Sequence, residues 1–293
     1  MTTGTDPLAP LAQLAGVPEA VAEVRKAVDR LYGHRVMRRR AGEVTSESAL
    51  RGARASAALE GADWPLEEVR RRTDFGADPE ARAVGAALRI SAEAGQLLNV
   101  WRTSPLQVLA RLHLLAVGDA DPSAGRPRRD GEAAAPLFPV EIAATEGKAP
   151  DGPVGELPPP PPADEAAARL DQLAALLAGR TENATGGAPA LVVAAVVHGE
   201  LLALRPFGAH NGLVARAAQR IVLIAEGLDP KAICPAEVGF AELGTAAYRE
   251  ALLGYLSGTP EGMARWIVHC GAALGLGVRE STAVCEAMQR GMV

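Results

Sequence analysis

The sequence predicts an all-α protein: a helical core, an N-terminal helical extension and at most a small β-hairpin flap. Three observations predict it. Apolar residues recur at helical spacing, as in Val21, Val24, Val28 and Leu31. Glycine, proline and capping residues fall between such segments and mark where helices start and stop. No series of alternating strand-like runs occurs anywhere. Aromatic residues make up only 3% of the chain against 48% hydrophobic, so Ala, Leu and Val must build the core. Ala and Leu favour helix, while Val does not. A length of 293 residues suits one large domain or a domain with an extension.

In chain order, a first helix is predicted over Pro18 to Tyr32. A second runs from about Thr45 to Leu59, with Thr45 and Ser46 as N-cap candidates and Gly61 as its stop. Residues 65–72 and 79–100 form two more, and 105–117 starts a helix on a proline. Residues 118–162 are rich in Gly, Pro, Asp and Ala and end in Pro158 to Pro162. Proline has no amide donor, so this stretch is no helix interior. Its composition leaves a disordered linker and an ordered loop equally open, with Leu137 to Ile142 as a short extended segment broken by Pro139. Asp164 then caps a helix carrying Leu170, Leu173, Leu176 and Leu177, closed by Gly179. Residues 189–204 are apolar almost all round, the mark of a buried central helix. A turn from Arg205 to Asn211 leads to a helix over Gly212 to Glu226, stopped by Gly227, and 241–276 holds two more. The organisation expected is an N-terminal helical region over 1–100, a core domain over 101–276 and a tail over 277–293.

Composition narrows the function classes. Net charge is −5, and the only dense basic run is Arg38 to Arg40, which weighs against a nucleic-acid partner. Only three of 30 basic residues are lysine, a bias of GC-rich, bacterial genomes more than of a function. Cys234, Cys270 and Cys285 have no metal-ligand spacing, and an odd number without a secretory pattern in Met1 to Leu11 points to a reducing compartment. The longest apolar run, Leu191 to Val197, is far short of the roughly 18 residues of a membrane span. A cytoplasmic protein without a membrane partner is expected. His113, His198 and His269 form no His-x-x-x-His pair, so a metalloenzyme is disfavoured.

The segment from Leu204 to Arg216 delivers a helix N-terminus out of a glycine-containing turn. Asn211 is a good N-cap, and the free amides and helix dipole favour an anion such as phosphate. Arg216, about one and a half turns in, could add a bidentate contact. Taken alone this describes any capped helix. In register, however, Pro206, Phe207, Asn211, Gly212 and Arg216 match the signature His-Pro-Phe-x-(Asp/Glu)-Gly-Asn-Gly-Arg-x-x-Arg. His198 upstream, the proline run, and Gly227-Leu228-Asp229-Pro230 downstream fit the same pattern. The chain thus resembles the Fic (Fido) family over roughly residues 45–276. That resemblance implies a protein adenylyltransferase using ATP, with Phe207, Asn211, Gly212 and Arg216 at the nucleotide.

The departures bear on the chemistry. The family's histidine takes a proton from the target hydroxyl, and Arg205 stands there. Arginine stays protonated and is no general base. The family's acidic residue holds Mg²⁺ on the phosphates, and Ala209 offers no side-chain oxygen, which puts Mg²⁺ in doubt. The following glycine is His210, and the first motif arginine is Leu213. His210 is a remote substitute for the base, and a loop histidine on the surface is the plainer expectation.

Upstream, Ser56-Ala57-Ala58-Leu59-Glu60-Gly61 resembles the inhibitory helix of Fic proteins, (Ser/Thr)-x-x-x-Glu-(Gly/Asn). Ser56 and Glu60 share a helix face. In the family the glutamate pairs with the second motif arginine and blocks the pocket of the nucleotide's terminal phosphate, and both partners survive here as Glu60 and Arg216. The expectation is a catalytically degenerate adenylyltransferase with residual ATP binding open, acting on or through an unidentified protein partner. The alternatives are a transferase with an altered site and a non-catalytic interaction module docking through 118–162, where Pro139 interrupts the strand pairing that aligns a target.

Overall fold

The computed structural model describes residues 6–76, 78–118, 121–150, 152–181 and 187–292. Among them there are helices and loops and no strand. After a 3₁₀ turn at Ala9–Gln13 come α1 (Val17–Tyr32), α2 (Met37–Leu59), α3 (Leu66–Arg71), α4 (Pro79–Glu93), α5 (Leu98–Trp101) and α6 (Pro105–Val117). A long irregular segment leads to α7 (Ala163–Thr181), α8 (Ala190–Leu204), α9 (Asn211–Ala225), α10 (Ala236–Leu256) and α11 (Pro260–Gln289). Among the described residues no helix is long and apolar enough to cross a membrane.

α8 is the centre of the molecule. All of its residues are buried except Ala190 at its start and Glu200 near its end, and α9, α10 and α11 pack around it. Trp266 on α11 is fully buried against it and donates its indole N–H to the Ala195 carbonyl at 2.7 Å. α1 lies on α11 through Val17, Val24, Val28 and Leu31, while α2 spans α4, α10 and α9. With so few aromatics, small side chains let these helices approach closely, and Tyr248, Phe240 and Trp266 are concentrated in one buried cluster between α8, α10 and α11.

Several boundaries differ from the sequence expectation, each for a local reason. α2 begins at Met37, so Thr45 and Ser46 are not caps. Thr45 donates to the Lys231 carbonyl and Ser46 bonds back to the Gly42 carbonyl inside the helix. The expected helix 79–100 divides into α4 and α5 around a turn at 94–97. α7 starts one residue before Asp164 and continues past Gly179 to Thr181. α11 runs unbroken to Gln289, through residues assigned above to a tail.

The segment 121–150 is neither a hairpin nor loose chain. Leu137 to Ile142 is irregular, with the Leu137 side chain buried, and it is tied to the core at two places. At one, the Arg128 and Ala135 amides donate to the Pro206 and Gly208 carbonyls, both at 2.8 Å. At the other, α10 kinks at Gly244, whose φ of 80° suits a residue without a side chain. The kink frees the Glu242 carbonyl and Thr245 amide for this segment. Thr145 donates to Glu242 O at 2.8 Å, and Thr245 donates to Ile142 O at 3.1 Å.

Candidate functional site

The α8–α9 turn leaves α8 through Arg205 and enters α9 through His210, both left-handed, with φ of 43° and 58°. A side chain in this region costs about 1–2 kcal/mol, which explains why a glycine suits the position of His210 in the signature. Asn211 is not the N-cap; His210 is, without a side-chain cap bond. Asn211 instead braces the turn from inside. Its Oδ1 accepts from the Phe207 amide at 3.0 Å and its Nδ2 donates to the Phe207 carbonyl at 2.7 Å.

Phe207 is buried and stacks on His113 of α6, with ring centroids 4.1 Å apart and planes 6° from parallel. The Gly125 amide donates to His113 Nδ1 at 3.1 Å, so the ring is neutral with its proton on Nε2. Burial pushes its pKa down from 6.5 to about 4, with positive charge on His210 a smaller contribution. The unfolded chain takes up that proton near 6.5 and the folded chain only near 4. Stability is therefore expected to fall as pH drops through this window and to be fully present above it. A ring titration followed by NMR should show the His113 midpoint near 4; a midpoint near 6.5 contradicts the buried stack.

Arg205 turns away from the α9 N-terminus. Its guanidinium donates to the Pro158 carbonyl in the proline run. Arg128 reinforces this strap from the other side. It donates to Arg205 O at 2.9 Å, to Leu204 O at 3.3 Å and to Pro161 O. Burial and then the neighbouring Arg128 charge lower the pKa of Arg205 from its ordinary value, yet nothing within this strap needs it to accept a proton. Ala209 is half-buried and Leu213 is packed in the core, so neither offers a polar group to the turn.

The end of α2 lies over the start of α9. Glu60 Oε1 stands 2.8 Å from Arg216 Nη2, and Ser56 accepts twice from the same guanidinium, at 2.8 Å through Oγ and 3.1 Å through its carbonyl. Gly61, at φ 98°, follows as the helix stop. A Cβ on Gly212 would come within 2.4 Å of Glu60 Oε1 and 2.9 Å of Arg216 Nη1. The cradle that the absent side chain leaves is therefore filled by the protein's own carboxylate at the positive end of α9. Burial alone would depress the pKa of Arg216, but Glu60 and Tyr248 outweigh it and hold it above the ordinary value. The Tyr248 hydroxyl also meets His198 Nε2 at 2.7 Å. His198 is fully buried among Phe240, Tyr248 and Trp266, and burial keeps it neutral. It lies beneath the site and not in it.

His210 is half-buried, not a surface side chain. Burial lowers its pKa, and the Glu60 charge works against that shift. Among the described residues no group of three His, Cys, Asp or Glu side chains could hold a metal ion. The structure thus brings Ser56, Glu60, Gly212 and Arg216 together, places Phe207 and Asn211 as internal braces of the turn, and sets Arg205 in a different contact. Arg128, Tyr248 and His113 were not singled out as site residues from sequence. They come from α6, α10 and the long loop, and nothing in local spacing ties them to this turn.

No protein-family model and no curated protein sequence matches the chain. Solved structures do. A Fic family protein from Desulfovibrio desulfuricans G20 superimposes with a TM-score of 0.66 at 21% identity, over 96% of this chain and 76% of that one. A Fic domain containing signaling protein from Bacteroides thetaiotaomicron VPI-5482 gives 0.62 at 12% identity, over 92% and 97%. Fic-1 from C. elegans gives 0.58 at 15% identity, over 92% and 73%. The fold of this chain is the Fic fold.

Proposed function

We propose that this chain, which carries the Fic fold, is a Fic protein that has lost AMP transfer and keeps the inhibitory contact as a structural fastening. The observation that carries this reading is the occupied start of α9, where Glu60 fills the cradle beside Gly212 and holds Arg216. The turn beside it supports the same reading. Arg205 has no basic lone pair to offer a target hydroxyl and is engaged with Pro158. Ala209 supplies no oxygen donor, so the residues present do not fit Mg²⁺. Leu213 leaves the phosphate site with one arginine instead of two. The role left to the fold is binding a partner protein.

The test is ATP labelled at the α-phosphate, with Mg²⁺ or Mn²⁺, offered to wild type, Glu60→Gln and Glu60→Gly, each checked for folding. No label is expected on this protein or on added protein substrates from any of the three. Calorimetry on the same set is expected to show no ATP binding by wild type. Label that appears in Glu60→Gly and disappears when His210→Ala is added would overturn the reading and make His210 the base of an altered transferase.

A further inference from the structure

We propose that the corner where α1 meets α2 is a docking surface for a short acidic segment of a partner protein. Lys26 and Arg30 lie one turn apart on α1, Arg35 is in the connecting turn, and Arg38 and Arg39 are in the first turn of α2; all five side chains are exposed. Among the described residues none of the five makes an ion pair or a side-chain hydrogen bond. Elsewhere the arginines are habitually paired, as in Arg51 with Glu280, Arg70 with Glu47, Arg169 with Glu200 and Arg279 with Glu242. The next residue along, Arg40, is itself neutralised by Glu43.

The α2 end of the cluster sits apart from the long helix. α2 starts at Met37, breaks at Arg40 (φ −121°, ψ 25°) and only then runs on. Arg38 and Arg39 lie in the short turn before that break, exposed, and the nearest acid that follows, Glu43, is taken by Arg40. An external anion is the partner left to them. In a chain of net charge −5, five exposed cations without an ion-pair partner along one short stretch are a local reversal of sign.

The surroundings select the occupant. Glu19, Glu23 and Asp29 are exposed on the same helix α1, so an extended anionic surface such as a duplex or a lipid leaflet would meet acids as soon as it left the cluster. The one aromatic side chain of the corner, Tyr32, has its hydroxyl committed to Asp229 at 2.7 Å and is not free for base stacking. A short carboxylate-rich peptide covers the cluster and reaches no further. This surface does not depend on the state of the α8–α9 turn.

The full chain is titrated against a labelled oligoglutamate peptide, a labelled DNA duplex and phosphatidylserine-containing vesicles. The peptide is expected to bind best, with affinity falling as salt rises. Arg35→Glu/Arg38→Glu/Arg39→Glu should weaken peptide binding by about tenfold or more. A control with the same change in net charge, Arg71→Glu/Arg102→Glu/Arg265→Glu, should stay near wild type. The patch variant should melt with wild type, because its three side chains are exposed and make no ion pair; a lower melting temperature would contradict the reading of the cluster as free. Failure of wild type to bind the peptide, equal loss in the control, or tighter binding of duplex or vesicles would each overturn the proposal.

Discussion

Glu60→Ala is expected to lower the free energy of unfolding by about 3–5 kcal/mol, the scale for a buried pair that loses one partner. The size follows from what stays behind. The Arg216 side chain is 2% exposed and that of Glu60 13%, so the orphaned guanidinium has no route to water. Ser56 would still accept its two hydrogen bonds, but neither carries the compensating charge. Glu60→Gln, which keeps the shape and an acceptor oxygen, should fall between alanine and wild type. Removing both charges together, as Glu60→Leu/Arg216→Met, should restore much of the loss, since a packed apolar pair avoids desolvation altogether. Urea denaturation of the four proteins is the measurement, and a loss below about 1 kcal/mol in Glu60→Ala would show that the contact fastens nothing.

Arg128→Ala should cost about 3 kcal/mol and open the long loop. Its guanidinium is buried against the C-terminal end of α8, where helix carbonyls have no partner within the helix. It serves Leu204 O and Arg205 O there and Pro161 O across the gap. Leaving buried carbonyls unsatisfied costs about 1–3 kcal/mol each, and solvent entering a loosened loop would recover part of that. Lysine at 128 offers no planar fork and should rescue only partly. Limited proteolysis is the second measurement. Cleavage within 121–162 should accelerate in Arg128→Ala; an unchanged pattern would mean that the kinked α10, not Arg128, holds the segment.

The sequence made the helical class and most of the helices legible, because each carries its own period and stops. α1, α6 and α8 fall within a residue or so of expectation. Where prediction slipped, longer-range contacts decided. Thr45 looks like a cap but sits mid-helix because its hydroxyl is taken by Lys231 O, far along the chain. Asn211 looks like a cap but turns inward because Phe207 presents both its amide and its carbonyl. The proline-rich segment carries no internal periodicity, and its order comes from distant partners: carbonyls of α8 and the α8–α9 turn, the His113 ring, the Arg205 guanidinium and the kink of α10. The pairing of Glu60 with Arg216 was legible only through a family resemblance. The strap through Arg205 was not legible at all, since composition says nothing about which carbonyl a guanidinium will find.

The strap has a consequence for the mutational paths open to this protein. Putting histidine at 205 would supply a proton acceptor and, in the same step, release the Pro158 carbonyl that the arginine now holds. The single change that adds a base also loosens the loop tied to the turn. On the function proposed above, a carboxylate at 209 gives nothing without that base, and neither helps while Glu60 fills the cradle. On that proposal each change is neutral or harmful until the others are present, so the arrangement would behave as a ratchet.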